Sequence, residues 1–125
     1  MKQEIKYWIK QAEDDLDSAE KNIDIKKYYV SSFLSQQSVE KSLKALALKI
    51  EKRLIKTHSV SKLGKLLKLP ENLLARISTL EPIYQETRYP DVSSKVPSEE
   101  FEEKDAAEFL NIAEEVLEWV KKKLI

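Results

Sequence analysis

SQQSVEKSLKALAL, residues 35–48, reads as the middle of a long helix, and its mixture of polar and apolar residues decides how the chain folds. Val39, Leu43 and Leu46 recur at steps of three and four, and the stripe runs back through Phe33 to Tyr29 and on to Ile50. That period belongs to a helix with one buried face, and Ala, Leu and Lys supply the propensity. Gln36 lies on the same stripe, so its amide needs partners inside the protein; left unpaired it would cost about 1–3 kcal/mol. Gln36, Glu40 and Lys44 follow at intervals of four, and Gln37, Lys41 and Lys44 form an adjoining row. Glu40 before Lys44 is also the favourable order for an ion pair on a helix. The polar rows therefore form a seam. It either bonds to a second copy of the protein, the favoured arrangement, or lines a cleft with His58 and Arg88.

Working outward, Ile5, Ile9, Ala12, Leu16, Ala19 and Ile23, with Trp8 beside them, predict an N-terminal helix ending before NIDIKKYY, residues 22–29. On the other side Thr57 is a candidate N-cap for a short helix through Val60, Leu63, Leu66 and Leu67. Pro70 suits the first turn of the next helix, whose stripe of Leu73, Ile77, Leu80 and Tyr84 should kink or split at Pro82. RYPDVSSKVPSEE, residues 88–100, reads as a loop. Ala106, Phe109, Leu110, Ala113, Val116, Leu117, Val120 and Leu124 mark a last amphipathic helix, and Lys121, Lys122 and Lys123 suit the negative end of its dipole. No stretch alternates as a strand does. The expectation is an all-α fold in one domain over 1–125: an antiparallel up-and-down bundle of about four main helices plus a short additional helix.

Composition narrows the chemistry. With no cysteine and a single histidine, a disulfide framework, a metal site of ordinary ligand type and a bound cofactor are not expected. No apolar run approaches a membrane span and nothing resembles a signal peptide, so a soluble, cytoplasmic protein is expected. A single glycine and 35% charged residues resemble a thermophile's composition. Basic and acidic residues balance at 22 each, but residues 41–68 hold nine Lys or Arg against Glu51 alone, and 81–118 hold twelve Asp or Glu against Arg88, Lys95 and Lys104. The two segments are expected to neutralise one another across helix faces; the alternative is a bipolar surface that attracts an anion or an oppositely charged partner.

Five stretches in order carry a resemblance: Trp8 with AEDDL (12–16), QQSVEKSLKAL (36–46), THSVSKL (57–63), Tyr84 with RYPD (88–91), and DAAEFL leading into EEVLEWV (105–120). Together they resemble the HEPN domain family of small helical proteins. The resemblance implies a bundle of about five helices, frequently dimeric and often encoded beside a minimal nucleotidyltransferase. Some members of the family are ribonucleases in toxin–antitoxin systems, and others are non-catalytic partners or nucleotide-binding helpers. The ribonucleases carry Arg, four to six residues, then His, near or within one of the last helices. Arg can stabilise phosphorane charge while His moves a proton. Arg53 to His58 matches that spacing here, but between the second and third helices, with Leu54 where a polar residue belongs.

The function expected is that of a non-catalytic HEPN protein, a homodimer acting with a minimal nucleotidyltransferase in a toxin–antitoxin-like pair. A nucleotide or nucleic-acid phosphate would be bound by residues drawn from Gln37, Glu40, Lys41, Lys44, His58, Arg88, Tyr89 and Asp91. His58, beside the Thr57 cap, is either a packed, hydrogen-bonding residue or a ligand-facing one. Arg88 either pairs with Asp91 or with charges on the second helix, or grips a phosphate from its Tyr-Pro turn. Two alternatives stand beside this: a metal-independent ribonuclease toxin with His58 as acid/base and Arg53 or Arg88 on the phosphate, and a purely structural dimeric module. The aromatic residues are read as core rather than as base-stacking groups.

Overall fold

Small side chains bring the first two helices together. The computed structural model describes residues 2–93 and 95–125. In it α1 (Gln3–Asp24) and α2 (Tyr28–Glu51) form an antiparallel hairpin. Ala12 and Ala19 of α1 and Ser31, Ser35, Ser38 and Ser42 of α2 are wholly buried, and the Ser38 hydroxyl donates to the Ala12 carbonyl at 2.8 Å. The hydroxyls of Ser31 and Ser35 have no partner among the described residues. α1 runs to Asp24 rather than stopping before Asn22, because a Schellman turn closes it: Lys26 N–H donates to the Ile23 carbonyl and Lys27 N–H to that of Asn22. Lys26 takes the left-handed conformation this turn requires, with φ 62°.

Beyond α2 the chain crosses residues 52–59 to α3 (Val60–Leu66), then α4 (Glu71–Ile77) and a 3₁₀ turn (Ser78–Leu80). Ser59, not Thr57, caps α3: its hydroxyl accepts from Lys62 N–H at 3.1 Å, while Thr57 Oγ1 accepts from Ser59 N–H. α3 ends in a second Schellman turn, with Lys68 left-handed at φ 58° and Leu69 N–H donating to the Gly64 carbonyl. The expected split at Pro82 occurs, with α5 (Ile83–Glu86) starting anew after it. The stretch expected to be a loop contains two short pieces, α6 (Pro90–Ser93) and a 3₁₀ turn at Pro97–Glu99, both opened by a proline. α7 (Glu103–Leu124) begins with a capping box in which Glu102 N–H donates to Asp105.

The described residues contain no strand. The fold is the expected all-α bundle: α1, α2 and α7 are its long struts, and α3 to α5 fill the remaining side with short segments. Val39, Leu43 and Leu46 of α2 meet Ile112, Val116 and Val120 of α7 and Val60, Leu63, Ile77 and Leu80 of the short segments in one core. α3 and α4 approach closely at Gly64, where a Cβ would lie 2.7 Å from Ile77 Cδ1. Among the described residues no helix is long and apolar enough to cross a membrane.

No ion pair joins the two charged segments, 41–68 and 81–118, among the described residues. Lys41 pairs with Asp15 and Lys44 with Glu40, while Arg76 holds Glu115.

Candidate functional site around Tyr84

The polar row of α2 is satisfied within one chain. Gln36 is fully buried; its Nε2 donates to Glu40 Oε1 at 3.2 Å and its Oε1 accepts from Gln37 Nε2 at 2.8 Å. Glu40, 4% exposed, also accepts from Lys44 Nζ at 3.0 Å, and Lys44 lies 5.8 Å from the Trp8 ring centre. A carboxylate and an ammonium this deeply buried persist only as partners, because either one alone would carry its full desolvation penalty. Lys41 leaves the row altogether, reaching back to Asp15 on α1 at 2.5 Å, so it is a strut between helices rather than a cleft residue.

Glu40 has a third neighbour. His58 Nδ1 lies 3.2 and 3.3 Å from its two oxygens, with the imidazole side chain still 59% exposed. The loop after α2 thus folds back on α2, and the Gln36 amide reaches toward the His58 carbonyl at 3.5 Å. The imidazole also stacks on Tyr84, with ring centres 4.1 Å apart and planes 15° from parallel.

Tyr84 is shared with a cation. The Arg88 guanidinium lies 4.2 Å from the Tyr84 ring centre, 4.9 Å from that of Tyr89 and 5.6 Å from that of Phe33, and Arg88 Nη2 donates to the Tyr89 hydroxyl at 2.6 Å. Desolvation opposes the Arg88 charge, but the Tyr89 hydrogen bond and the neighbouring phenol oxygens outweigh it and raise its pKa. The group is therefore cationic at any physiological pH. The alternative pairing with Asp91 does not form, and no carboxylate pairs with Arg88 among the described residues. Asp91 is exposed on α6 and takes no part in the cluster.

Of the sequence-derived candidates, the structure brings Gln37, Glu40, Lys44, His58, Arg88 and Tyr89 into one connected set, and sets Lys41 and Asp91 aside. Arg53 is exposed in the loop after α2 and makes no hydrogen bond or ion pair among the described residues. The spacing that links it to His58 is thus not matched by a contact. Tyr84 and Phe33 are the members sequence reasoning misses, since each sits on an apolar helical stripe and reads as core. Beside the cluster lies an open depression of about 260 Å³ bounded by His58, Tyr84, Glu81 and Gln85. No group of three or more potential metal ligands occurs among the described residues.

A helical bundle with a His, an Arg and a carboxylate gathered at one of its sides defines a class, and comparison with known proteins gives the family. The HEPN domain model matches residues 5–123, so the chain belongs to the HEPN domain family. It is 33% identical over 130 residues to a Methanocaldococcus jannaschii protein named "Putative toxin MJ1304", covering 93% of this chain and 85% of that one. The crystal structure of ST0689, described as an archaeal HEPN homologue, shares 38% identity with a TM-score of 0.84 over the whole of both chains. TT1696 from Thermus thermophilus shares 29% identity with a TM-score of 0.86, covering 95% of this chain and 97% of that one.

Proposed function

We propose that this HEPN chain is the toxin-like member of a two-component pair. It works in the cytoplasm as a homodimer with a minimal nucleotidyltransferase partner, and binds an RNA or nucleotide phosphate at the His58–Tyr84–Arg88 cluster without cleaving it. The observation that carries this reading is Arg88: a permanent cation laid on aromatic rings, free of any carboxylate partner among the described residues, beside an exposed imidazole. Such a guanidinium presents its N–H edge to phosphate, and the exposed ring of Tyr89 offers a base a stacking surface. The likeness to a protein named as a toxin supports the paired role.

The test is anisotropy of a short labelled single-stranded RNA, and of a labelled adenine nucleotide, titrated with pure protein in EDTA. Arg88→Ala and Tyr84→Leu should each weaken binding at least tenfold, or about 1.4 kcal/mol, and the RNA should remain intact. Binding untouched by both substitutions would refute the reading. Light scattering on the pure protein, and co-purification with the expressed nucleotidyltransferase, test the two assembly states.

One observation favours a second reading, metal-independent ribonuclease activity. Glu40 holds His58 by Nδ1, an arrangement that orients an imidazole for proton transfer through its other nitrogen. RNA cleavage in EDTA that disappears in His58→Ala would replace the non-catalytic reading with this one.

A further inference from the structure

At one end of the bundle, sharing no residue with the Tyr84 cluster, a cavity of about 320 Å³ opens between the start of α1 and the ends of α2 and α7. Its apolar wall is Ile5, Leu48 and Leu124, and its charged residues are Lys2, Lys49 and Lys52, with no acidic residue among them. Lys49 uses one of its three donors on the Leu124 carbonyl at 3.0 Å, which fixes the side chain and leaves two donors over. Lys2 and Lys52 are exposed and form no ion pair among the described residues. The volume lies at the lower end of the range of small-molecule sites.

The lining states the chemistry of what fits. Its polar side chains are all lysines, which donate and never accept, so the hydrogen-bond donors of a nucleobase or a peptide would find no side-chain acceptor there. No aromatic ring is present for a base to stack on. The remaining wall is branched aliphatic. We infer that this cavity binds an amphiphilic anion: a medium-length alkyl chain against Ile5, Leu48 and Leu124, ending in a carboxylate or phosphate monoester held by Lys2, Lys49 and Lys52. Lys52 opens the loop that carries Arg53 and His58, so an anion drawing it inward would fix that loop at its root.

Calorimetric titration of the whole protein with butanoate, hexanoate and octanoate, each below its micelle concentration, tests the inference. Affinity should rise with chain length by up to about fourfold per methylene, the ratio that corresponds to about 0.8 kcal/mol per buried CH₂. Octyl phosphate run beside octanoate identifies the preferred head group. The surface double variant Lys2→Glu/Lys52→Glu should lose at least tenfold, and octylamine should not bind. No detectable octanoate binding, equal affinity in the double variant, or octylamine binding as well as octanoate would each overturn the inference.

Discussion

Glu40 is the residue on which the interior depends, because it holds the ammonium of Lys44, the amide of Gln36 and the imidazole of His58 at once. Glu40→Leu leaves Lys44 buried and unpaired, so it should destabilise the fold by about 3–5 kcal/mol in urea denaturation, whereas Glu40→Leu/Lys44→Met should recover most of that loss. The Ser31 and Ser35 hydroxyls, without a partner among the described residues, give the opposite sign: Ser35→Ala removes a buried polar group that bonds to none of them, and should stabilise by about 1 kcal/mol. Much of this was legible in the chain. Helical period alone places Gln36 on the buried stripe and Glu40 one turn before Lys44. What the period cannot reach is His58, which sits in a loop with no repeat and meets Glu40 across 18 residues. Tyr84 is hidden for a different reason: an aromatic residue on an apolar stripe looks the same whether it faces the core or a guanidinium.

Helix ends show where the elements gain and lose stability. Both Schellman turns place a lysine where glycine is favoured, since glycine, having no Cβ to meet the backbone, enters the left-handed region without steric cost. Lys26→Gly and Lys68→Gly should therefore each raise stability by up to about 1 kcal/mol, read from the urea midpoint at unchanged slope. Ser59→Ala should lower it by about 1 kcal/mol through loss of the α3 cap, and Thr57→Ala by less. The long helices were legible because an apolar stripe sustained at this period over five turns fits no other regular backbone. Their ends were less so. The cap expected at Thr57 falls two residues later, where the Ser59 hydroxyl accepts from Lys62 N–H, while Thr57 Oγ1 accepts from Ser59 N–H in the turn before the helix.

At the scale of the whole molecule the bundle order was readable from the number and length of periodic segments, but the charge arrangement was not. Sequence shows two segments of opposite sign, yet pairing depends on which faces meet, and the lysines of 41–68 that form ion pairs form them with Asp15 on α1 and Glu40 within α2. The packing of the segmented side rests on Gly64. A methyl group there meets the buried end of Ile77 and the more yielding Leu74, so overpacking should exceed the gain in helix propensity, and Gly64→Ala should cost about 1 kcal/mol. The short turn between α1 and α2 sets an order of events in time. A three-residue connection closes at little entropic expense, so the serine-lined hairpin can assemble from neighbouring chain alone, while α7 must wait for more than fifty intervening residues to be gathered in. Stopped-flow kinetics should show it: Val120→Ala on α7 accelerates unfolding and leaves the refolding rate almost unchanged, whereas Ala12→Gly in the hairpin slows refolding.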